Sequence, residues 1–123
     1  MSVPVAPMTV VETEEFLRKS RPLMSESDRA ALVTFVGANP EAGEIIRETG
    51  GVRKIRWALE GVGKRGGARV IYYCHNERLP VFLLSAYAKS RKANLSQAER
   101  SAMRRLAMTL VKGYPRPRAC CWL

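Results

Sequence analysis

The sequence predicts an α+β fold in which two N-terminal helices pack on a mostly antiparallel four-stranded sheet and a C-terminal helix closes the domain. Three observations predict it. Between Glu12 and Asn39 the apolar residues recur at helical spacing. Between Val52 and Ala88 three runs are rich in β-branched and aromatic residues. Ser96 followed by Glu99 then forms a capping box ahead of a last amphipathic segment. A chain of 123 residues that is 46% hydrophobic can bury one core unaided. Residues 1–113 are read as a single domain and residues 114–123 as a flexible tail.

Thr9–Val11 is a short first strand after the breaks at Pro4 and Pro7. Glu12–Ser20 is a short helix, ended by Arg21-Pro22 because the residue before proline avoids helical angles. Ser25 is a good N-cap, with Asp28 three residues on to return the bond. From there Leu32, Phe35 and Val36 share a helix face until Asn39-Pro40 stops it. Gly43–Gly51 reads as a connection, with Ile45 and Ile46 expected in the core. Val52–Ala58 alternates, placing Lys54 and Arg56 on one face and Ile55 and Trp57 on the other. Ala68–His75 and Pro80–Ala88 are the next strands, joined as a hairpin through Asn76-Glu77-Arg78. In the last helix Ala98, Ala102, Leu106 and Leu110 are spaced to face the core, and Gly113 ends it.

Charge is divided unevenly along the chain. Residues 1–48 hold five Lys/Arg against eight Asp/Glu, a balance of −3, whereas residues 49–123 hold sixteen against three, a balance of +13. An acidic start followed by a strongly basic remainder implies a surface that faces nucleic acid. No apolar run approaches the roughly 18 residues of a membrane span. The N-terminus lacks the basic and apolar regions of a signal peptide, so a cytoplasmic protein is expected. Cys74, Cys120 and Cys121 show neither C-x-x-C nor Cys/His metal spacing and read as reduced thiols. Neither a metal nor another cofactor is expected.

The basic residues concentrate in Arg53, Lys54, Arg56, Lys64, Arg65 and Arg69, on two strand-like runs joined by a glycine-rich turn. Gly61-Val-Gly63-Lys-Arg-Gly66 spells a dinucleotide fingerprint, but that motif needs a helix directly after it and a strand-like run follows. It also fails as a P-loop, since no Ser or Thr follows Lys64. Lys64 and Arg65 are left as turn residues, either solvated or in contact with a nucleic-acid backbone. By strand parity Lys54 and Arg56 share a face, as do Arg69 and Tyr73, and as do Tyr87 and Lys89. If those faces coincide, Lys54, Arg56, Arg69, Tyr87 and Lys89 form one patch.

Metal-independent RNA cleavage needs a base for the ribose 2′-hydroxyl, a cation on the phosphorane and an acid for the leaving 5′ oxygen. His75 is the only histidine and lies near a turn, so it is a poor candidate. A lysine among other cations can serve as base, because neighbouring positive charge disfavours its charged form. Lys54 beside Arg53 and Arg56, or Lys89 near Arg91 and Lys92, meets that condition, and Arg69 suits a bidentate phosphate clamp. Tyr87 can stack on a base or pack in the sheet.

Several of these segments together resemble the HigB-like branch of the RelE/ParE toxin superfamily. They are Asn39-Pro40 to Ile45, Thr49-Gly50-Gly51-Val-Arg53-Lys54-Ile-Arg56, Gly63-Lys-Arg-Gly-Gly-Ala-Arg69 to Tyr73, Tyr87-Ala-Lys89 and Asn94-Leu-Ser96. The resemblance implies a toxin of a type II toxin–antitoxin pair, a metal-independent endoribonuclease that cuts mRNA on the ribosome and so inhibits translation. It implies a cognate helix-turn-helix antitoxin, with operator DNA reached only through that antitoxin, and no membrane partner. By position Arg69 matches the phosphate-stabilising arginine, Lys54 and Arg56 the basic pair on the preceding strand, and Lys89 the basic end of the last strand. Arg53, Lys64, Arg65, Arg91 and Lys92 are the expected RNA or ribosome contacts. RelE proper has an arginine where this chain has Ser90, and a tyrosine shortly afterwards that Lys92-Ala-Asn94-Leu lacks, so Tyr87 or Lys89 would take over proton transfer. The alternatives are a ParE-like inhibitor of gyrase and a non-catalytic nucleic-acid-binding module.

Overall fold

A computed structural model describes residues 8–59, 67–76, 78–89 and 94–113. The elements in chain order are β1 (Val10–Glu12), α1 (Glu14–Ser20), α2 (Glu26–Ala38), β2 (Glu44–Ile45), β3 (Val52–Trp57), β4 (Ala68–Tyr73), β5 (Val81–Ala88) and α3 (Gln97–Gly113). The strands form one sheet in the order β1-β5-β4-β3-β2, with β1 parallel to β5 and every other pair antiparallel. The α+β class and the three helices are as expected, but the sheet has five strands rather than four. The additional strand is Glu44–Ile45, two residues that pair with Lys54 and Arg53 inside what reads as a connection. A two-residue strand carries no alternation for a sequence pattern to show.

Capping fixes the helix starts. Thr13 accepts from the Phe16 N–H at 3.2 Å and donates its hydroxyl to the Leu83 carbonyl at 2.7 Å, which ties the start of α1 to β5. Ser25 and Asp28 form the reciprocal capping box of α2, and Asn39 caps its end with its N–H on the Phe35 carbonyl. The N–H of Ser96 donates to Glu99 Oε1 at 2.9 Å and the N–H of Glu99 to Ser96 Oγ at 3.1 Å, opening α3 as predicted.

Two cores lie on opposite faces of the sheet. Phe16, Leu32 and Val36 from α1 and α2 meet Val70, Tyr72, Val81 and Leu83 on one face. On the other, Ala107, Met103 and Leu106 of α3 meet Val52, Ile71, Phe82 and Leu84. The architecture is therefore three layers, with α3 across the sheet from the N-terminal helices. Ile46 is buried as expected, but Ile45 is 58% exposed, because edge strand β2 turns it outward. The 46–51 turn is built around buried Thr49, which donates to the Ile46 carbonyl at 2.6 Å and accepts from the Val52 N–H at 3.1 Å. Glu48 there has φ 64°, in the left-handed region that costs a residue with a side chain roughly 1–2 kcal/mol.

A bulge sets the phase of β5. Pairing steps from Ile71↔Ser85 to Tyr72↔Leu83, so Leu84 is an extra residue. Beyond the bulge the alternation is inverted. Phe82 and Leu84 serve the α3-side core, while Ala86 serves the α1/α2 side and leaves Tyr87 on the α3 side.

Candidate nucleic-acid site

The register brings Arg56, Arg69 and Tyr87 of the predicted patch together. Arg56 pairs with Arg69, and Arg69 pairs with Tyr87, so the three side chains form one row across β3, β4 and β5. Directly paired residues share a face, and here it is the α3 face, where Tyr87 packs against the α3-side core. Lys54, two residues before Arg56, lies on the same face and donates from Nζ to Asn94 Oδ1 at 3.1 Å. A shallow depression of about 170 Å³ opens here, lined by Gly43, Glu44, Lys54, Arg56 and Arg69 among others. Like charges directly opposite each other in a sheet are destabilising, by up to ~1 kcal/mol. The Arg56–Arg69 pair therefore runs against the interest of the fold, as residues kept for a ligand do.

Arg69 is the centre of this row. Its Nε is buried and has no hydrogen-bond partner among the described residues. A buried donor without a partner costs about 1–3 kcal/mol. Burial pushes the Tyr87 phenol above its ordinary 10.0; Arg69 pulls it partly back and Glu99 pushes it up further. Tyr87 therefore stays protonated at neutral pH, as a donor and not a base.

The loop beside the depression is fixed by close packing. The Gly43 N–H donates to the buried Tyr72 hydroxyl at 2.8 Å. A Cβ at Gly43 would lie 2.7 Å from the Lys54 carbonyl oxygen and 2.8 Å from that hydroxyl. Arg53 completes this corner with Nη1, donating to the Gly43 carbonyl at 2.7 Å and the Glu41 carbonyl at 3.2 Å. Arg53 is thus not brought into the row. Strand alternation puts it on the opposite face, with Ile55 and Trp57.

Lys89 stands one residue beyond β5, where its N–H donates to the Gly67 carbonyl at 3.1 Å and continues the ladder past the row. Lys64, Arg65, Arg91 and Lys92 lie outside the described residues, as do Glu77, Cys120, Cys121 and the tail from Tyr114. His75 pairs its Nδ1 with the Tyr73 hydroxyl at 2.9 Å, six residues along the chain from Arg69 and so about 20 Å away at strand spacing. Half-buried Cys74 is a free thiol that burial pushes above its ordinary 9.0. Among the described residues no three His, Cys, Asp or Glu side chains gather as a metal site requires. No described helix is long and apolar enough to cross a membrane. Sequence reading places Gly43 and Asn94 in the segments that carry the family resemblance and Glu99 in a capping box, and singles out none of the three as a site residue.

Residues 8–114 match the family model described as the RelE toxin of the RelE/RelB toxin–antitoxin system. The chain belongs to the RelE toxin family. It is accordingly the toxin of a toxin–antitoxin pair, and the family implies an antitoxin partner. Among solved structures it is similar to a double arginine-to-alanine variant of the E. coli toxin RelE in the free state. That match has a TM-score of 0.50 at 22% identity and covers 70% of this chain and 87% of that one. At that identity the likeness speaks for the RelE fold, and the cross-sheet row of Arg56, Arg69 and Tyr87 is read from this chain alone.

Proposed function

We propose that this RelE-family toxin is a metal-independent endoribonuclease that cuts mRNA on the ribosome and thereby stops translation. The observation that carries the reading is Arg69, at the centre of the Arg56–Arg69–Tyr87 row and on the lining of the depression. A phosphodiester seated on that row neutralises the like-charge pair of Arg56 and Arg69.

In this reading Arg69 clamps the scissile phosphate, and Lys54 and Arg56 balance the charge that grows on the phosphorane. Lys89 takes the proton of the ribose 2′-hydroxyl. The 2′ oxygen bonds to phosphorus, the bond to the 5′ oxygen breaks, and Tyr87 gives the leaving oxygen its proton. The products are a 2′,3′-cyclic phosphate and a 5′-hydroxyl end, so atoms and charge balance. Arg91, Lys92, Lys64 and Arg65 would extend the basic surface toward ribosomal RNA. The antitoxin is read as a helix-turn-helix protein through which the pair reaches operator DNA, and the site of action as the cytoplasm.

Induction of the toxin in cells tests this. Growth arrest with mRNA cuts at ribosome-occupied codons, both lost in Arg69→Ala, is the expected result. Arrest with a DNA-damage response and no cuts would instead point to gyrase inhibition and overturn the reading.

A further inference from the structure

Lys54 and Asn94 stand forty positions apart in sequence, yet Lys54 Nζ donates to Asn94 Oδ1 at 3.1 Å. We infer that Asn94 is a positioning residue, which holds Lys54 over the phosphate site and makes the start of α3 part of the catalytic face. The inference rests on the reading of Lys54 as a phosphate contact.

Three features make Asn94 suited to this. It is anchored on its C-terminal side, since Leu95 packs against the α3-side core and Ser96 and Glu99 close the reciprocal cap of α3. A lysine ammonium on a four-carbon stem explores many rotamers, so a fixed acceptor changes where its charge resides. Most telling is the kind of acceptor. Glu44 is the cross-strand partner of Lys54 and shares its face, yet among the described residues no ion pair joins them. The acceptor Lys54 does use is a neutral amide. A carboxylate there would compete with the phosphate for the lysine's charge, whereas an amide oxygen aims Nζ and leaves that charge available to the substrate.

Wild type, Lys54→Ala, Asn94→Ala, the double variant and Asn94→Asp decide the matter. In the free protein the contact is read from the Asn94 side-chain amide signals in a ¹⁵N–¹H spectrum. They should move in Lys54→Ala and stay in place in the remote control Arg18→Ala. Unmoved signals in Lys54→Ala would overturn the contact. With mRNA on programmed ribosomes, Asn94→Ala should lower kcat/KM about fivefold or more when Lys54 is present and less than about twofold when it is Ala. Asn94→Asp should chiefly raise KM and flatten its dependence on salt, because the new carboxylate engages Lys54. An equal loss from Asn94→Ala in both backgrounds, or an Asn94→Asp variant with unchanged KM, would overturn the positioning role. If wild-type protein cuts no mRNA, the nuclease reading falls and the catalytic role of Asn94 with it, while the spectra still report on the contact.

Discussion

A single methyl group at Gly43 should be among the most damaging small changes to this protein. In Gly43→Ala the new Cβ would meet the Lys54 carbonyl oxygen at 2.7 Å and the Tyr72 hydroxyl at 2.8 Å. One neighbour is backbone in the sheet and the other is a fully buried side chain, so neither can move aside cheaply. Overpacking of this kind costs about 1–3 kcal/mol. The shift also breaks the buried Gly43–Tyr72 hydrogen bond, a further ~1 kcal/mol, for a total of about 2–4 kcal/mol. In a domain of this length each kcal/mol moves Tm by roughly 3–6 °C, so a fall of about 6–24 °C is expected. Tyr72→Phe separates the two contributions, since it removes the hydroxyl without adding volume, and should cost only about 1–2 kcal/mol. Denaturant midpoints followed by circular dichroism measure both. A Gly43→Ala midpoint within about 0.5 kcal/mol of wild type would refute the close approach of the loop to β3.

Three other outcomes follow from the geometry. Arg53→Ala should lose about 1 kcal/mol of stability with the carbonyls of Glu41 and Gly43 left unanswered. It should leave the salt dependence of RNA binding unchanged, whereas Arg56→Ala should reduce that slope by about 0.7 for each phosphate the arginine had neutralised. Glu48→Gly should raise stability by up to about 1 kcal/mol in thermal unfolding, the relief of a left-handed side chain outweighing the glycine's extra unfolded freedom. Burial raises the phenols of Tyr72, Tyr73 and Tyr87 above 10.0 in the fold, while in the unfolded chain they ionise at ordinary values. The unfolded state then binds fewer protons above pH 10, so Tm should be insensitive to these groups below that pH and fall above it. Tyrosinate absorbance that titrates at the ordinary value with no loss of Tm would contradict this.

Local chemistry was the legible part of the fold. Ser25 with Asp28, and Ser96 with Glu99, announce helix starts that the hydrogen bonds bear out. The alternation of β3 correctly separates Lys54 and Arg56 from Ile55 and Trp57. What escaped sequence reading is set by long-range pairing. Parity leaves open which faces coincide, and the Leu84 bulge that gives Tyr87 the face of Arg69 has no sequence mark. Ile45 reads as core because it is apolar, but its exposure is decided by a two-residue edge pairing. Arg53 looks like its basic neighbours until the loop carbonyls it holds are in view. Asn94 reads as a loop residue, since nothing local shows that Lys54 reaches it.

The central claim is that Arg69 holds a scissile phosphate. Purified toxin should be mixed with ribosomes programmed with a short labelled mRNA, and the cut product quantified for wild type and Arg69→Ala of matched Tm. Wild type should cut to a 2′,3′-cyclic phosphate end, and the variant should lose about 100-fold or more in rate. A correctly folded Arg69→Ala protein that cuts at the wild-type rate would contradict it.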